Sequence, residues 1–408
     1  MNTIILAGKL WDGLAPKPCG YSEISIIDGK IVEVGEKVTR MRGAEIIDLS
    51  QQFVMPGFID CHVHLTGSSK ILANIMGSND AAMTLAGVKA CKTVLNNGFT
   101  TVRDVGDFSI VTSIIPELKK AVESGEISGP RIISGGHMLS AVGGHNDFGG
   151  LARNGIKIEH ESVVEGVEGV RRGVHNEMRH GADWIKFAAS GGFLSPSDGP
   201  EDVSYSQEEM NAIVTAASDA GRPVCVHAYD NESVHRAASA GVRSVEHGNL
   251  ALTETLDNLA EKGIFLVPTQ YAVVFWARHD DPNDPEFVRE KKAKYAGKIL
   301  KRAGNIAESD VKVAFGTDLG SFDFSTNGAV EFSEMVHNGI PPLRALRAAT
   351  SVAADLLMLN AGSIADGKYA DIIAIPGDPF EDITLTEKVC FVMKNGKVCR
   401  DDRKNSCI

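Results

Sequence analysis

The sequence predicts an α/β protein: a (β/α)8 TIM barrel carrying a small β-sandwich domain built from both termini. Three observations point there. Between about residue 56 and residue 360, apolar runs of strand length alternate with stretches of helical period. Eight such runs fall in that span, the number a barrel needs. Both ends of the chain instead carry short strands and turns.

Taken in order, Thr3–Ala7, Glu23–Ile27, Lys30–Val34 and Glu45–Asp48 read as strands, with turns at Asp12-Gly13 and Asp28-Gly29. The far end matches: Ala370–Ile375 is a strand, Pro376-Gly377-Asp378-Pro379 a turn, and Val389–Met393 runs through Asn395-Gly396 into Lys397–Cys399. Neither end has enough strands for a stable sheet, so the two are expected to combine. The expected division is 1–55 and 361–408 for the two parts of the β domain and 56–360 for the barrel. Barrel strands are expected at 58–65, 100–106, 131–136, 183–190, 223–229, 244–249, 264–270 and 312–319. Helical period marks Ala81–Asn97, Glu165–His180, Gln207–Ala220 and Asn231–Ala240. A doubly wound sheet would want a phosphate-binding glycine fingerprint, and Gly191-Gly192 is not one.

A chain of 408 residues, 43% hydrophobic and 23% charged, has material for one large domain and a smaller one. The net charge of −12, with no long run of either sign, argues against nucleic acid or an anionic membrane as the main partner. Met1–Leu10 reads as a strand and not as a signal peptide, and no later run is long enough to span a bilayer. The seven cysteines, at 19, 61, 91, 225, 390, 399 and 407, form no Cys-x-x-Cys pair. Buried free thiols in a reducing, cytoplasmic setting are expected.

Strand 1 is the stretch around which the rest is organised. In Pro56–Leu65, alternation puts Asp60, His62 and His64 on one face. Two imidazoles two residues apart on a rigid strand can reach one metal ion, or can be two hydrogen-bonded core histidines. Other strands end in similar side chains: Lys186 on strand 4, His227 and Tyr229 on strand 5, His247 on strand 6 and Asp318 on strand 8. Each has a plain reading alone, as a core histidine, a paired lysine or an Asx turn. A barrel gathers its chemistry at these strand ends, and the set together points to a metal site.

These residues resemble the amidohydrolase superfamily, through Pro56-Gly57-Phe58-Ile59-Asp60-Cys61-His62-Val63-His64, the strand-4 lysine, the histidines of strands 5 and 6 and Gly316-Thr317-Asp318. The resemblance covers the whole chain. It implies a binuclear metal centre, usually zinc, with His62, His64 and Asp318 on one ion and His227 and His247 on the other. Lys186, as its CO2-derived carbamate, would bridge the two. An ammonium cannot bind a metal, whereas a carbamate is a bidentate anion. Carbamate, Asp318 and a hydroxide set three negative charges against four positive ones.

Ser140-Ala141-Val142-Gly143-Gly144-His145, Ile185–Gly192, His227-Ala228-Tyr229 and Val245–Asn249 are similar to one branch of that superfamily. This is the imidazolonepropionase-like branch that includes metal-dependent Xaa-Pro dipeptidases (prolidases) and related zinc carboxypeptidases. By that resemblance His145 contacts the scissile carbonyl and Tyr229 contacts substrate. Asn146-Asp147-Phe148-Gly149 departs from the Gly-Asp or similar acidic loop often found there, so the resemblance does not carry to the loop lining the leaving-group pocket or to the substrate. The implied activity is hydrolysis of a C–N amide bond in dipeptides or N-acyl amino acids, with Asp318 shuttling a proton. The alternative is another amide, such as an aryl amide, phenylurea or cyclic amide. A non-catalytic binding relative would have no reason to keep all six metal-site residues. Relatives commonly form homo-oligomers, and one is expected here.

Other positions have plainer readings. Arg103 can face a substrate carboxylate or pair internally with Asp104 or Asp107. Tyr271, Phe275 and Trp276 can wall a pocket or pack in the core, and His279–Lys294 reads as a solvated loop and helix face.

Overall fold

The computed structural model describes residues 2–67, 79–109, 113–147, 160–280, 282 and 284–402. The N-terminal strands are β1 (Asn2–Leu10), β2 (Ser22–Ile27), β3 (Lys30–Gly35) and β4 (Glu45–Pro56). Eight strands follow: β5 (Phe58–Val63), β6 (Phe99–Asp104), β7 (Arg131–Ser134), β8 (Ile185–Ala188), β9 (Val224–Ala228), β10 (Ser244–His247), β11 (Phe265–Val267) and β12 (Lys312–Val313). The C-terminal end adds β13 (Ile372–Ile375), β14 (Phe391–Lys394) and β15 (Lys397–Asp401).

The two chain ends meet in one seven-stranded sheet, ordered β15-β14-β13-β4-β1-β2-β3. Its β1–β4 pair is parallel and every other pair antiparallel. Ile5, Ile24, Ile26, Ile31, Ile47, Ile372 and Phe391 form its own apolar core. Neither terminus could bury these faces alone, which is why the chain returns to pair β13 with β4.

The eight middle strands are parallel and lie in two sheets, β5-β6-β7 and β12-β11-β10-β9-β8. Crossover helices include α1 (Asp80–Asn96), α2 (Ile115–Ser124), α3 (Gly166–Arg179), α4 (Gln207–Asp219), α5 (Asn231–Ala240) and α6 (Thr253–Glu261), and α7 (Glu286–Arg302) follows β11. A Ser206–Glu209 capping box starts α4, and Gly241 at φ 90° ends α5. Backbone hydrogen bonds cross both seams between the sheets. Cys61 N donates to Phe315 O at 2.8 Å and His64 N to Leu319 O at 2.7 Å, while Leu139 N donates to Lys186 O at 2.9 Å. The expected eighth strand, 312–319, is ladder-paired to β11 only at Lys312 and Val313. Beyond them the chain follows β5 and turns to present Asp318 at φ 62°.

Strands buried on both faces read as continuous apolar runs. On β9, Val224, Val226 and Ala228 join the large core that includes the helices, whereas Cys225 faces Ile59, Cys61, Trp184, Phe265 and Val267 on the other side. A charged residue on that inner side is unfavourable unless it is paired or hydrogen-bonded. Cys61, Cys91 and Cys225 are buried free thiols, Cys19 is free but exposed, and Cys407 lies outside the described residues. The 279–294 stretch is not wholly a solvated face. Lys292 is buried, with its ammonium 4.9 Å from the Trp276 ring centroid and 3.6 Å from carboxylate oxygens of Asp280 and Asp284. Among the described residues no helix is long and apolar enough to cross a membrane.

Candidate metal centre

β5 delivers His62, and His64 follows directly after it. The Nε2 atoms of these two rings lie 3.5 and 3.3 Å from Asp318 Oδ1. His247, ending β10, has its ring centroid 4.9 Å from that of His62 and 4.6 Å from that of His227 on β9. Tyr229 stacks on His247 at 4.8 Å, and His145 stacks on His227 at 4.2 Å. Side chains from four strand ends, with His145 from the loop after β7, therefore converge. His62 and Lys186 are each 1% exposed, whereas the Asp318 and His145 side chains keep 13% and 19%. Access to the cluster is from the Asp318 and His145 side.

Each imidazole has one nitrogen engaged, which leaves the other for the centre. His62 Nδ1 meets Glu246 Oε2 at 2.8 Å, and His64 Nδ1 meets Gly106 O at 2.9 Å. His247 Nδ1 meets Thr269 Oγ1 at 2.8 Å. His227 differs, since Nε2 meets Gly191 O at 3.2 Å and Nδ1 is the atom without a hydrogen-bond partner among the described residues. His247 and Asp318 hold left-handed backbone, φ 75° and 62°, strain of order 1–3 kcal/mol per residue stored where ligands are aimed.

Burial pushes His227 and His247 well below the ordinary histidine value, so both rings are neutral with lone pairs to offer. Burial also lowers His64, but the hydrogen-bonded Asp318 carboxylate outweighs it and raises the ring, marking the space between them as favourable for positive charge. Asp318, which burial alone would raise, is held well below its usual range by His62 and His64. Burial lowers Lys186, and among the described residues its ammonium has no ion-pair partner. Two imidazole nitrogens and a carboxylate oxygen within 4.8 Å of one another, with neutral imidazoles alongside, suit a divalent cation of the zinc type.

Sequence reasoning missed the support behind these ligands. Asp104 and Asp107 are the partners the sequence offers Arg103; the structure gives it Glu246 instead. Arg103 Nη2 lies 2.8 Å from Glu246 Oε1, both residues are fully buried, and the same carboxylate reaches His62. A charged residue within each apolar strand, Arg103 on β6 and Glu246 on β10, was the available signal. Also missed was Ser195 Oγ, 2.9 Å from His145 Nδ1. A Cβ at Gly192 would stand 2.3 Å from His145 Cε1, so any side chain there would displace the ring. Trp276 packs on Phe193, and Phe193 on Tyr229, so Trp276 belongs to the wall beside the centre. Tyr271 stacks on Phe275, which is 37% exposed. Of the loop after His145, Phe148 and Gly149 lie outside the described residues. A separate trio, His137, Glu177 and His180, includes a 3.2 Å contact between His137 Nδ1 and Glu177 Oε2.

The sequence profile of the amidohydrolase family matches residues 53–399. An ochratoxinase from Aspergillus niger is 31% identical over 429 aligned positions, covering 97% of this chain and 86% of that one. The crystal structure of a Xaa-Pro dipeptidase with bound methionine in the active site superposes with a TM-score of 0.88 at 35% identity, covering 98% of this chain and 99% of the other. A prolidase complexed with N-methylphosphonate-L-proline gives 0.87 at 32% identity, covering 98% and 100%.

Proposed function

The chain belongs to the amidohydrolase family and is a hydrolase acting on C–N bonds, and from that premise we propose a binuclear metal-dependent dipeptidase or carboxypeptidase, prolidase-like, acting on dipeptides or N-acyl amino acids. The observation that carries the reading is the convergence of His62, His64, Asp318, His227 and His247, with the buried Lys186 amine close enough to act on His227 and His247 and without an ion-pair partner among the described residues. In this proposal His62, His64 and Asp318 would hold one zinc ion and His227 and His247 a second, with Lys186, as its carbamate, completing the ligand set. Bound metals supply a water of lowered pKa and a polarised carbonyl.

The side chains do the rest. Asp318 takes the proton of the attacking water and returns it to the leaving nitrogen, a role its partial exposure allows. His145 meets the scissile carbonyl oxygen. The Tyr229 phenol is held protonated by burial, which lifts it well above the usual tyrosine value, and donates to the substrate carboxylate or the developing oxyanion.

The proposal extends to architecture. The hydrogen bonds at both seams support closing the two parallel sheets into one (β/α)8 barrel over 56–360. Residues 1–55 and 361–408 then form the flanking β-sandwich domain. Buried reduced thiols support a cytoplasmic setting, and a homo-oligomer rests on the resemblance to relatives that assemble. A second reading, hydrolysis of another amide such as an aryl amide, phenylurea or cyclic amide, draws support from the Phe193 and Trp276 wall beside Tyr229. A screen of dipeptides and N-acyl amino acids with zinc-loaded protein tests the assignment. Turnover of substrates with a free carboxylate is expected; turnover confined to amides lacking one would move the assignment to the second reading.

A further inference from the structure

His145 is one end of a chain of polar contacts that runs away from the metal cluster. Its Nδ1 lies 2.9 Å from Ser195 Oγ, which in turn lies 2.5 Å from Asp198 Oδ1. Asp198 is fixed by the Gly192 N–H and by the Lys291 ammonium, each 3.3 Å from Oδ1. Lys291 also donates to the carbonyls of Gly192, at 2.6 Å, and Ser195, at 2.5 Å, which binds α7 to the loop after β8.

The direction of each hydrogen bond follows. With a lysine and a backbone N–H as neighbours, Asp198 accepts. Ser195 therefore donates its hydroxyl hydrogen to Asp198 and accepts with its oxygen from His145 Nδ1–H. The second carboxylate oxygen, Asp198 Oδ2, is buried without a hydrogen-bond partner among the described residues and lies 4.0 Å from the same Nδ1. A buried acceptor left open calls for an explanation. Here it is an alternative acceptor for the Nδ1–H if the ring turns. Nε2 has no hydrogen-bond partner among the described residues.

We infer that Asp198 is a positioning residue which, through Ser195, fixes the ring orientation and the Nδ1–H tautomer of His145, so that Nε2 is the atom His145 offers to substrate. The inference rests on the proposed contact between His145 and the scissile carbonyl. The logic is that of any imidazole oriented from behind by a carboxylate, here with a serine between them. Lys291 holds the carboxylate in place.

Two measurements test it. In zinc-loaded protein labelled with ¹⁵N-histidine, the His145 ring, identified by its absence in His145→Gln, should show a protonated Nδ1 and a bare Nε2. Asp198→Asn and Ser195→Ala should change that pattern, and Ser195→Thr should keep it. With L-methionyl-L-proline as probe, Asp198→Asn should lower kcat roughly ten- to a hundredfold with KM little changed. In the His145→Ala background the same change should add almost nothing. A bare Nδ1 in the unmodified protein would overturn the inference, and so would a full additional loss in the His145→Ala background. Unchanged turnover in His145→Ala alone would instead remove His145 from catalysis, and the spectrum would still report whether Asp198 sets the tautomer.

Discussion

Replacing Glu246 by glutamine separates the stability of the protein interior from its metal affinity. The carboxylate is fully buried and faces the Arg103 guanidinium and the His62 ring, each at 2.8 Å, and Ser244 Oγ at 2.6 Å. Glutamine keeps the volume and removes the charge, leaving a buried guanidinium uncompensated. Such one-sided losses cost about 3–5 kcal/mol. The lower figure applies here, because Arg103 keeps Cys61 O at 2.7 Å, Ser244 Oγ at 3.1 Å and the Trp184 ring at 4.6 Å. At ~2.1 cal/mol/K per residue, the 408 residues give about 0.9 kcal/mol/K, so metal-free protein should melt about 3–4 °C lower. His62 also loses the acceptor that orients it, which should weaken metal binding by about 10–100-fold in chelator competition. Adding Arg103→Met should restore most of the stability and none of the affinity. If Glu246→Gln changed neither the melt nor the competition curve, the account of this pair would be wrong. If Arg103→Met restored both, the two effects would not be separable.

Lys186→Ala should lose at least one of about two bound metals per chain, because no other described side chain is placed as a bridging anion; metal analysis with full occupancy and full activity would sink the binuclear proposal. Asp318→Asn should retain much of the metal while kcat falls about 10²–10⁴-fold, the range of general acid–base catalysis. Tyr229→Phe should lower kcat/KM by roughly ten- to a hundredfold with metal content unchanged. Its loss should be smaller on amidated substrates if the terminal carboxylate is the partner. Far from the centre, burial would raise Glu23, but hydrogen bonds from Val38 N at 3.0 Å, Tyr21 at 3.0 Å and Arg40 at 2.6 Å hold it below the ordinary 4.5. A lowered carboxylate stabilises above that value and loses its contribution as pH falls through the folded one. Glu23→Gln should therefore lower the melting temperature at pH 7, with a gap that narrows on acidification; a gap independent of pH would refute the assignment.

The metal-capable residues were legible in the sequence because their placement is local. Strand alternation puts His62 and His64 on one face, and a polar residue ending an otherwise apolar strand stands out without any knowledge of its partners. The pairing of the two chain ends was legible for a similar reason, since neither has strands enough to stand alone. What the tertiary structure decided is which atom of each residue acts. His62 takes its tautomer from Glu246, 184 positions away, and His64 from Gly106 O, 42 away. His227 is held by the opposite nitrogen, through Gly191 O. The Arg103–Glu246 pair and the path from His145 through Ser195 to Asp198 are equally invisible to any period in the sequence. Hydrogen bonds depend on distance and angle in space, and strands and helices fix those only once distant segments pack together.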